Sequence, residues 1–123
     1  MKKHYYLSVI TIFTLITLQS GFAQIEFKLE YMEAEEVWGV FATPDTSINP
    51  SSNIIPGSGQ VTVVLPNDYQ VGEVVSYAGA WTFDARKNHP VENPERDYGS
   101  FGWNANFPRM VLEKGKETLL FTF

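Results

Sequence analysis

Residues 25–31 read IEFKLEY, and this stretch decides the fold class. Apolar side chains (Ile, Phe, Leu and Tyr) alternate along it with charged ones (Glu, Lys and Glu). Successive side chains of an extended chain point to opposite faces, so a period of two is typical of a β-strand with one face on a core and the other in water. The chain is therefore expected to begin its folded part with a half-buried strand.

Further short runs of strand-forming residues follow at the spacing of an all-β protein. They cover residues 37–42, 60–65, 74–78, 81–85, 98–103, 110–112 and 118–123. Helix-forming residues occur together only at 31–36, which is enough for a single turn between two strands. The pattern predicts a two-sheet antiparallel β-sandwich of seven to nine short strands, either jelly-roll or immunoglobulin-like.

The amino terminus carries the features of a secretory signal peptide. Lys2 and Lys3 precede an uncharged, mostly apolar run at residues 7–18, and small residues stand at the −3 and −1 positions of a cleavage site after Ala23. The apolar run is shorter than the roughly 20 residues that a membrane-spanning helix needs. We expect residues 1–23 to be removed and the protein to be secreted or displayed at the cell surface, with no transmembrane span in the mature chain.

Residues 24–123 then form one domain of 100 residues. Removal of the leader takes away two of the nine basic residues and none of the fourteen acidic ones, so the formal charge becomes −7. This acidity disfavours nucleic acid as a partner, because nucleic-acid binding normally needs a basic surface. The chain has no cysteine, which excludes disulfides, thiolate metal sites and a cysteine nucleophile.

Alternation along the runs also predicts the core and the role of the last strand. The residues expected to point inward are Phe27, Leu29, Phe41, Val61, Val63, Val75, Phe83, Phe101, Leu112, Leu119 and Phe121. The run at 119–123 reads LLFTF and has no polar residue after it. It either pairs inside a sheet or belongs to a longer protein with further domains.

Three segments carry a family resemblance: GSGQVTVVLP at 57–66, VENPERDYGSFG at 91–102 and LLFTF at 119–123. The chain resembles exported β-sandwich domains, similar to cohesin and carbohydrate-binding folds, at the amino terminus of large modular surface proteins of Gram-negative bacteria. The resemblance implies adhesion or display at the cell surface without catalysis, and it transfers no binding residue.

Among the three tryptophans, Trp103 is the candidate for ligand contact. Trp38 and Trp81 stand among apolar residues and are expected in the core. Trp103 precedes Asn104 and is close to Asn106, and an aromatic ring beside amides at a strand end suits the recognition of a sugar or a peptide. We therefore take Trp103, Asn104 and Asn106 as the predicted ligand-binding residues.

Two long loops are expected, at residues 43–58 and 87–97, and the second carries a candidate Ca²⁺ site. Glu92, Asn93, Glu95 and Asp97 place four oxygen-bearing side chains within six residues, and calcium prefers such ligands. Their spacing does not match the EF-hand, and the other interpretation is an acidic exposed loop that Pro94 interrupts and in which Arg96 and Lys87 offset the charge. Asp45 and Asn49 could add ligands if the two long loops meet.

The residues offer little for catalysis. His89 is the one histidine left after the leader, it precedes a proline in a charged loop, and the chain lacks the G-x-S-x-G nucleophile motif. The sequence thus predicts a non-catalytic extracellular module that binds a protein or a glycan. A carbohydrate-binding module is the alternative, and a small secreted hydrolase is the second alternative.

Overall fold

A computed structural model describes residues 25–48 and 59–123, which form seven β-strands and no helix. The strands are β1 (Ile25–Met32), β2 (Val37–Pro44), β3 (Gln60–Pro66), β4 (Val75–Ser76), β5 (Ala80–Lys87), β6 (Arg96–Ala105) and β7 (Thr118–Thr122). The expectation of an all-β chain is confirmed. The predicted leader at 1–23 and Asn49 lie outside the described residues.

The strands form two antiparallel sheets, one with the order β1-β2-β7-β4 and one with the order β3-β6-β5. Immunoglobulin constant domains place the first, second, fifth and fourth strands in one sheet and the third, sixth and seventh in the other. The present chain differs from that order because its fifth and seventh strands have exchanged sheets. As a result, β7 lies inside the four-stranded sheet between β2 and β4.

Local sequence and contacts with distant residues both set the strand ends. β1 and β2 form a hairpin that pairs Ile25 with Pro44 and Met32 with Val37, and residues 33–36 form the turn expected there. The predicted strand at 110–112 is wrong, because only Leu112 pairs, through a two-bond bridge to Ile48. The strand expected at 74–78 is confined to β4, since the amides of both Tyr77 and Ala78 donate to the Leu120 carbonyl and interrupt the ladder.

Aromatic rings join the two sheets at the centre of the core. Phe101 of β6 and Phe121 of β7 are fully buried, and their ring centroids lie 4.8 Å apart. Trp81 of β5 packs on Phe121 at 5.0 Å, and Phe123 packs on Phe101 at 4.9 Å. Trp38 and Phe123 also exchange two backbone hydrogen bonds of 2.9–3.0 Å, so the last residues form part of the core.

The core prediction is right for the centre of the sheets and wrong at their margins. Val61, Val63, Phe101, Leu112 and Phe121 are buried as expected. Phe41, Phe83 and Leu119 are half-buried.

Three residues predicted to point inward are instead exposed: Phe27, Leu29 and Val75. Phe27 and Leu29 lie opposite Ala42 and Val40, which are both buried, so the two β1 side chains are on the inner face of their sheet. They remain exposed because β1 is the outermost of four strands, while the facing sheet has only three. Val75 belongs to β4, the short strand at the other margin.

Candidate functional site

The outer margin of β1 is the principal exposed apolar feature of the described residues. Phe27, Leu29 and Tyr31 are 51%, 41% and 45% exposed, and Val64 of β3 beside them is 53% exposed. Leu29 and Val64 line the same grooves. These four residues are called the β1 edge surface below. Contiguous apolar residues of this kind mark interaction sites more often than isolated ones do.

The backbone of β1 is open on the same side. Its eight residues pair with β2 without any register shift, and within the described chain they make no backbone hydrogen bond to another element. An outer strand presents the amide and carbonyl groups of alternate residues to solvent, where a further strand can pair with them. β1 contains no proline. The strand therefore has neither a bulge nor a proline, two features that commonly block edge pairing.

The opposite margins of the two sheets are protected. β4 has only two residues, and β5 has register shifts on both sides of the pairs that Trp81 and Phe83 make with β6. Very short strands and bulges hinder the addition of another strand. β4 and β5 are thus poorly suited to strand addition, whereas β1 and β3, the outer strands on the other side, are longer than β4 and pair without a register shift.

Two grooves run between β1 and β3. One, of about 260 Å³, is lined by Phe27, Leu29 and residues 61–64 of β3. The other, of about 320 Å³, is lined by Leu29, Trp38, Val64 and Tyr69. Side chains of an added strand could enter these grooves, because they open beside the inner face of β1.

The outer face of β1 is charged. The Lys28 ammonium lies 2.5 Å from Glu30 and 2.9 Å from Glu117, and it stands 4.8 Å from the centre of the Phe41 ring. The hydrogen bond to Glu30, followed by the one to Glu117, raises the pKa of Lys28 above its ordinary value. These pairs are solvent-exposed, so they add little to stability, but they set the charge pattern of the strand.

The predicted ligand residues Trp103, Asn104 and Asn106 are not brought to one surface. Trp103 is half-buried, and its indole packs between Gly59 and Gly79. It lines an apolar cavity of about 250 Å³ together with Trp81 and Met110.

The two amides make internal contacts instead. Asn104 follows Trp103 on β6 and so lies on the opposite face of the sheet, where its amide donates to Thr82 Oγ1. Asn106 Oδ1 accepts the Met110 amide at 2.9 Å. The buried Trp103 Nε1 and Asn106 Nδ2 have no hydrogen-bond partner among residues 25–48 and 59–123.

The predicted calcium ligand Asp97 has a structural set of partners. Its side chain is fully buried, and its Oδ2 lies 3.1–3.2 Å from the guanidinium of Arg86. The backbone amides of Asp68 and His89 donate to its two oxygens, each at 3.1 Å. Burial acts to raise the pKa of Asp97, but the bonds from His89, Asp68 and Arg86 outweigh it and hold the pKa below its ordinary value.

The other members of the predicted calcium set lie along the loop before Asp97. Glu92 and Glu95 are exposed and Asn93 is half-buried. Within residues 25–48 and 59–123, no three His, Cys, Asp or Glu side chains are grouped closely enough to hold a metal ion. The calcium hypothesis stays a prediction. His89 is in the same loop, and its Nδ1 lies 3.1 Å from the Pro94 carbonyl oxygen.

Comparisons with known proteins identify no relative. No protein-family model matches the chain, and no curated protein or solved structure is significantly similar to it. In the part of the chain that the structure describes, no helix has the length and hydropathy needed to cross a membrane.

Residue patterns alone did not locate the β1 edge surface. Phe27 and Leu29 carried the strongest strand signal in the chain, but that signal indicated a core. The missing information was the position of β1 in its sheet, which depends on pairing between β2 and the distant β7.

Proposed function

We propose that the protein is a non-catalytic extracellular β-sandwich module, at or near the bacterial cell surface, that binds another protein through the β1 edge surface. The observation that carries this proposal is the combination of an open strand edge with exposed Phe27, Leu29 and Tyr31. The extracellular location rests on the signal-peptide features of residues 1–23.

The physical basis is the addition of an extended segment to a sheet. Backbone hydrogen bonds to the free edge of β1 supply affinity, and alternate side chains of the segment supply specificity by entering adjacent grooves. The grooves of about 260 and 320 Å³ beside Leu29 are placed to receive such side chains. This mode suits adhesion, because many segments with alternating apolar residues can engage the same edge.

The two alternatives receive less support from the described residues. A carbohydrate-binding module needs an aromatic ring with an open face, and the Trp103 ring is half-buried against Gly59 and Gly79. A hydrolase needs acids or a nucleophile held in a site, and the buried acid Asp97 is already bound by Arg86 and two backbone amides.

Selection from a phage-displayed library of random dodecapeptides tests the proposal. We expect peptides with alternating apolar residues to be enriched on the purified protein. Phages that bind the wild type should lose at least about tenfold in binding to the double variant Phe27→Ser/Leu29→Ser, because each side chain contributes apolar contact area. The matched control is Val91→Ser/Phe107→Ser, which removes two exposed apolar side chains elsewhere.

Two results would overturn the proposal. One is equal binding of the selected phages to both double variants. The other is a glycan array that shows selective binding abolished by Trp103→Ala, which would establish the carbohydrate alternative in its place.

A further inference from the structure

We infer that a second copy of this chain occupies the β1 edge surface, with the two β1 strands paired antiparallel across a two-fold axis at Leu29. This inference rests on the proposed function, because it names the partner that pairs with the same edge. The product is a continuous sheet of eight strands in which each copy contributes its β1-β2-β7-β4 sheet.

Symmetry restricts how two β1 strands can pair. A two-fold axis perpendicular to the sheet keeps each residue on the same face in both copies, and directly opposite residues also share a face. Odd-numbered residues must therefore pair with odd-numbered ones, which brings the apolar side chains at 25, 27, 29 and 31 together. The axis then lies between the two copies of one β1 residue, which pairs with itself. The possible registers differ in the identity of this self-paired residue.

Charge on the other face selects among these registers. An axis at Lys28 places Lys28 opposite Lys28 and Glu26 opposite Glu30, and like charges directly opposite are destabilising. An axis at Leu29 places Lys28 opposite Glu30 twice, once on each side of the axis. Opposite charges at such positions are favourable cross-strand pairs.

The register at Leu29 also pairs most of the strand. It joins residues 26–32 of both copies, whereas an axis at Phe27 joins only residues 25–29. On the apolar face it brings Phe27 against Tyr31 twice and Leu29 against Leu29. All three of these side chains are more than 40% exposed in the single chain, so pairing removes apolar surface from water without rearranging the core.

Single cysteines report the register, because the chain has no cysteine of its own. Opposite Cβ atoms across an antiparallel pair are about 4.5–5.5 Å apart, close to disulfide range, while residues offset by two are about 7–8 Å apart. Under mild oxidation, Leu29→Cys should form a covalent dimer at least about tenfold faster than Lys28→Cys or Phe27→Cys. Non-reducing electrophoresis measures the product.

A mixture of variants gives an independent measure of the same register. Phe27→Cys and Tyr31→Cys should each cross-link poorly alone and should form a mixed disulfide when combined. Fastest cross-linking by Lys28→Cys or by Phe27→Cys would overturn the register, and equal slow rates for all variants would overturn the dimer.

Charge exchange tests the ion pairs without any covalent bond. Lys28→Glu and Glu30→Lys should each sediment as monomers, because each places like charges opposite one another. A 1:1 mixture of the two should restore the dimer, since one chain then carries carboxylates at both positions and the other carries ammonium groups. Glu92→Lys is the matched control for Glu30→Lys, because it makes the same change of charge in the exposed loop between β5 and β6. This variant should dimerise like the wild type.

Sedimentation and phage binding together separate the two proposals. A wild type that stays monomeric while selected phages still depend on Phe27 and Leu29 overturns the dimer and leaves strand addition by another protein. A wild type that dimerises through Leu29, with phages that bind both double variants equally, supports the dimer and overturns the wider binding function.

Discussion

At the scale of single residues, Gly79 is the position where backbone conformation and a neighbouring ring both require the absence of a side chain. Its φ is +76°, in the left-handed region. A Cβ atom there would collide with Nε1 and Cδ1 of the Trp103 indole. Its amide donates to the Pro108 carbonyl at 2.6 Å, which ties the segment before β5 to the segment after β6.

Gly79→Ala and Gly115→Ala separate these two requirements. Gly115 has a similar φ of +70° but open space around it, so alanine there should cost only the backbone strain of about 1–2 kcal/mol. Gly79→Ala should lower the free energy of unfolding by about 1–3 kcal/mol more, because the Trp103 ring must shift. Urea denaturation of both variants measures the difference. Equal losses of unfolding free energy in the two variants would show that the position of the Trp103 ring does not require glycine at residue 79.

At the scale of the elements, β7 and β1 are both rich in apolar residues but have opposite roles. β7 lies between β2 and β4, and its Phe121 contacts Trp81 of β5 and Phe101 of β6. β1 lies at the margin, and its Phe27 is about half exposed. The same residue type therefore contributes to the core in one strand and to a surface in the other.

Phe121→Ala and Phe27→Ala measure that contrast. Removing the fully buried Phe121 ring should cost about 3–5 kcal/mol, a large part of the roughly 5–15 kcal/mol that holds a domain of this size together. Phe27→Ala should cost the single chain less than about 1 kcal/mol, because its ring already contacts water. Both values come from urea denaturation at protein concentrations low enough to keep the chain monomeric. If Phe27→Ala lowered the free energy of unfolding as much as Phe121→Ala does, the Phe27 side chain would have to be part of the core.

At the scale of the whole molecule, Asp97 connects three segments at one end of the three-stranded sheet. It pairs with Arg86 of β5 and accepts the amides of Asp68, after β3, and His89, in the loop between β5 and β6. Asp68 and His89 have positive φ values of 62° and 45°, which are unfavourable for residues with a side chain. The charge-assisted bonds to the carboxylate offset that strain.

This arrangement predicts how stability depends on pH. The pKa of Asp97 is lower in the folded chain than in the unfolded one, so the unfolded chain takes up the proton first as the pH falls. The stability from Asp97 is complete above the unfolded value of about 4 and is lost as the pH falls below it and through the folded pKa.

Thermal melts between pH 2 and 7 test this dependence. The wild type should lose melting temperature below about pH 4, and Asp97→Asn should melt lower at pH 7 and show a smaller loss on acidification. Glu95→Gln, at an exposed carboxyl in the same loop, is the control and should behave like the wild type. An Asp97→Asn variant with an unchanged melting profile would contradict the structural role of this carboxylate.

The sequence by itself determined the all-β class and the positions of most strands. The alternation at 25–31 and 60–65 agrees with β1 and β3 to within one residue, because the period of side-chain direction is a property of the extended chain alone. Burial of Phe101 and Phe121 also followed from the local pattern.

Only the tertiary structure decided which strand lies at a margin and which groups bind Asp97. Phe27 and Leu29 obey the same alternation as Val61 and Val63, yet they differ in burial because β7 inserts between β2 and β4 and leaves β1 outermost. Asp97 is bound by partners 8 to 29 residues away in the chain. Such outcomes depend on pairing between distant segments and on the widths of the facing sheets, and a local pattern of side chains contains neither.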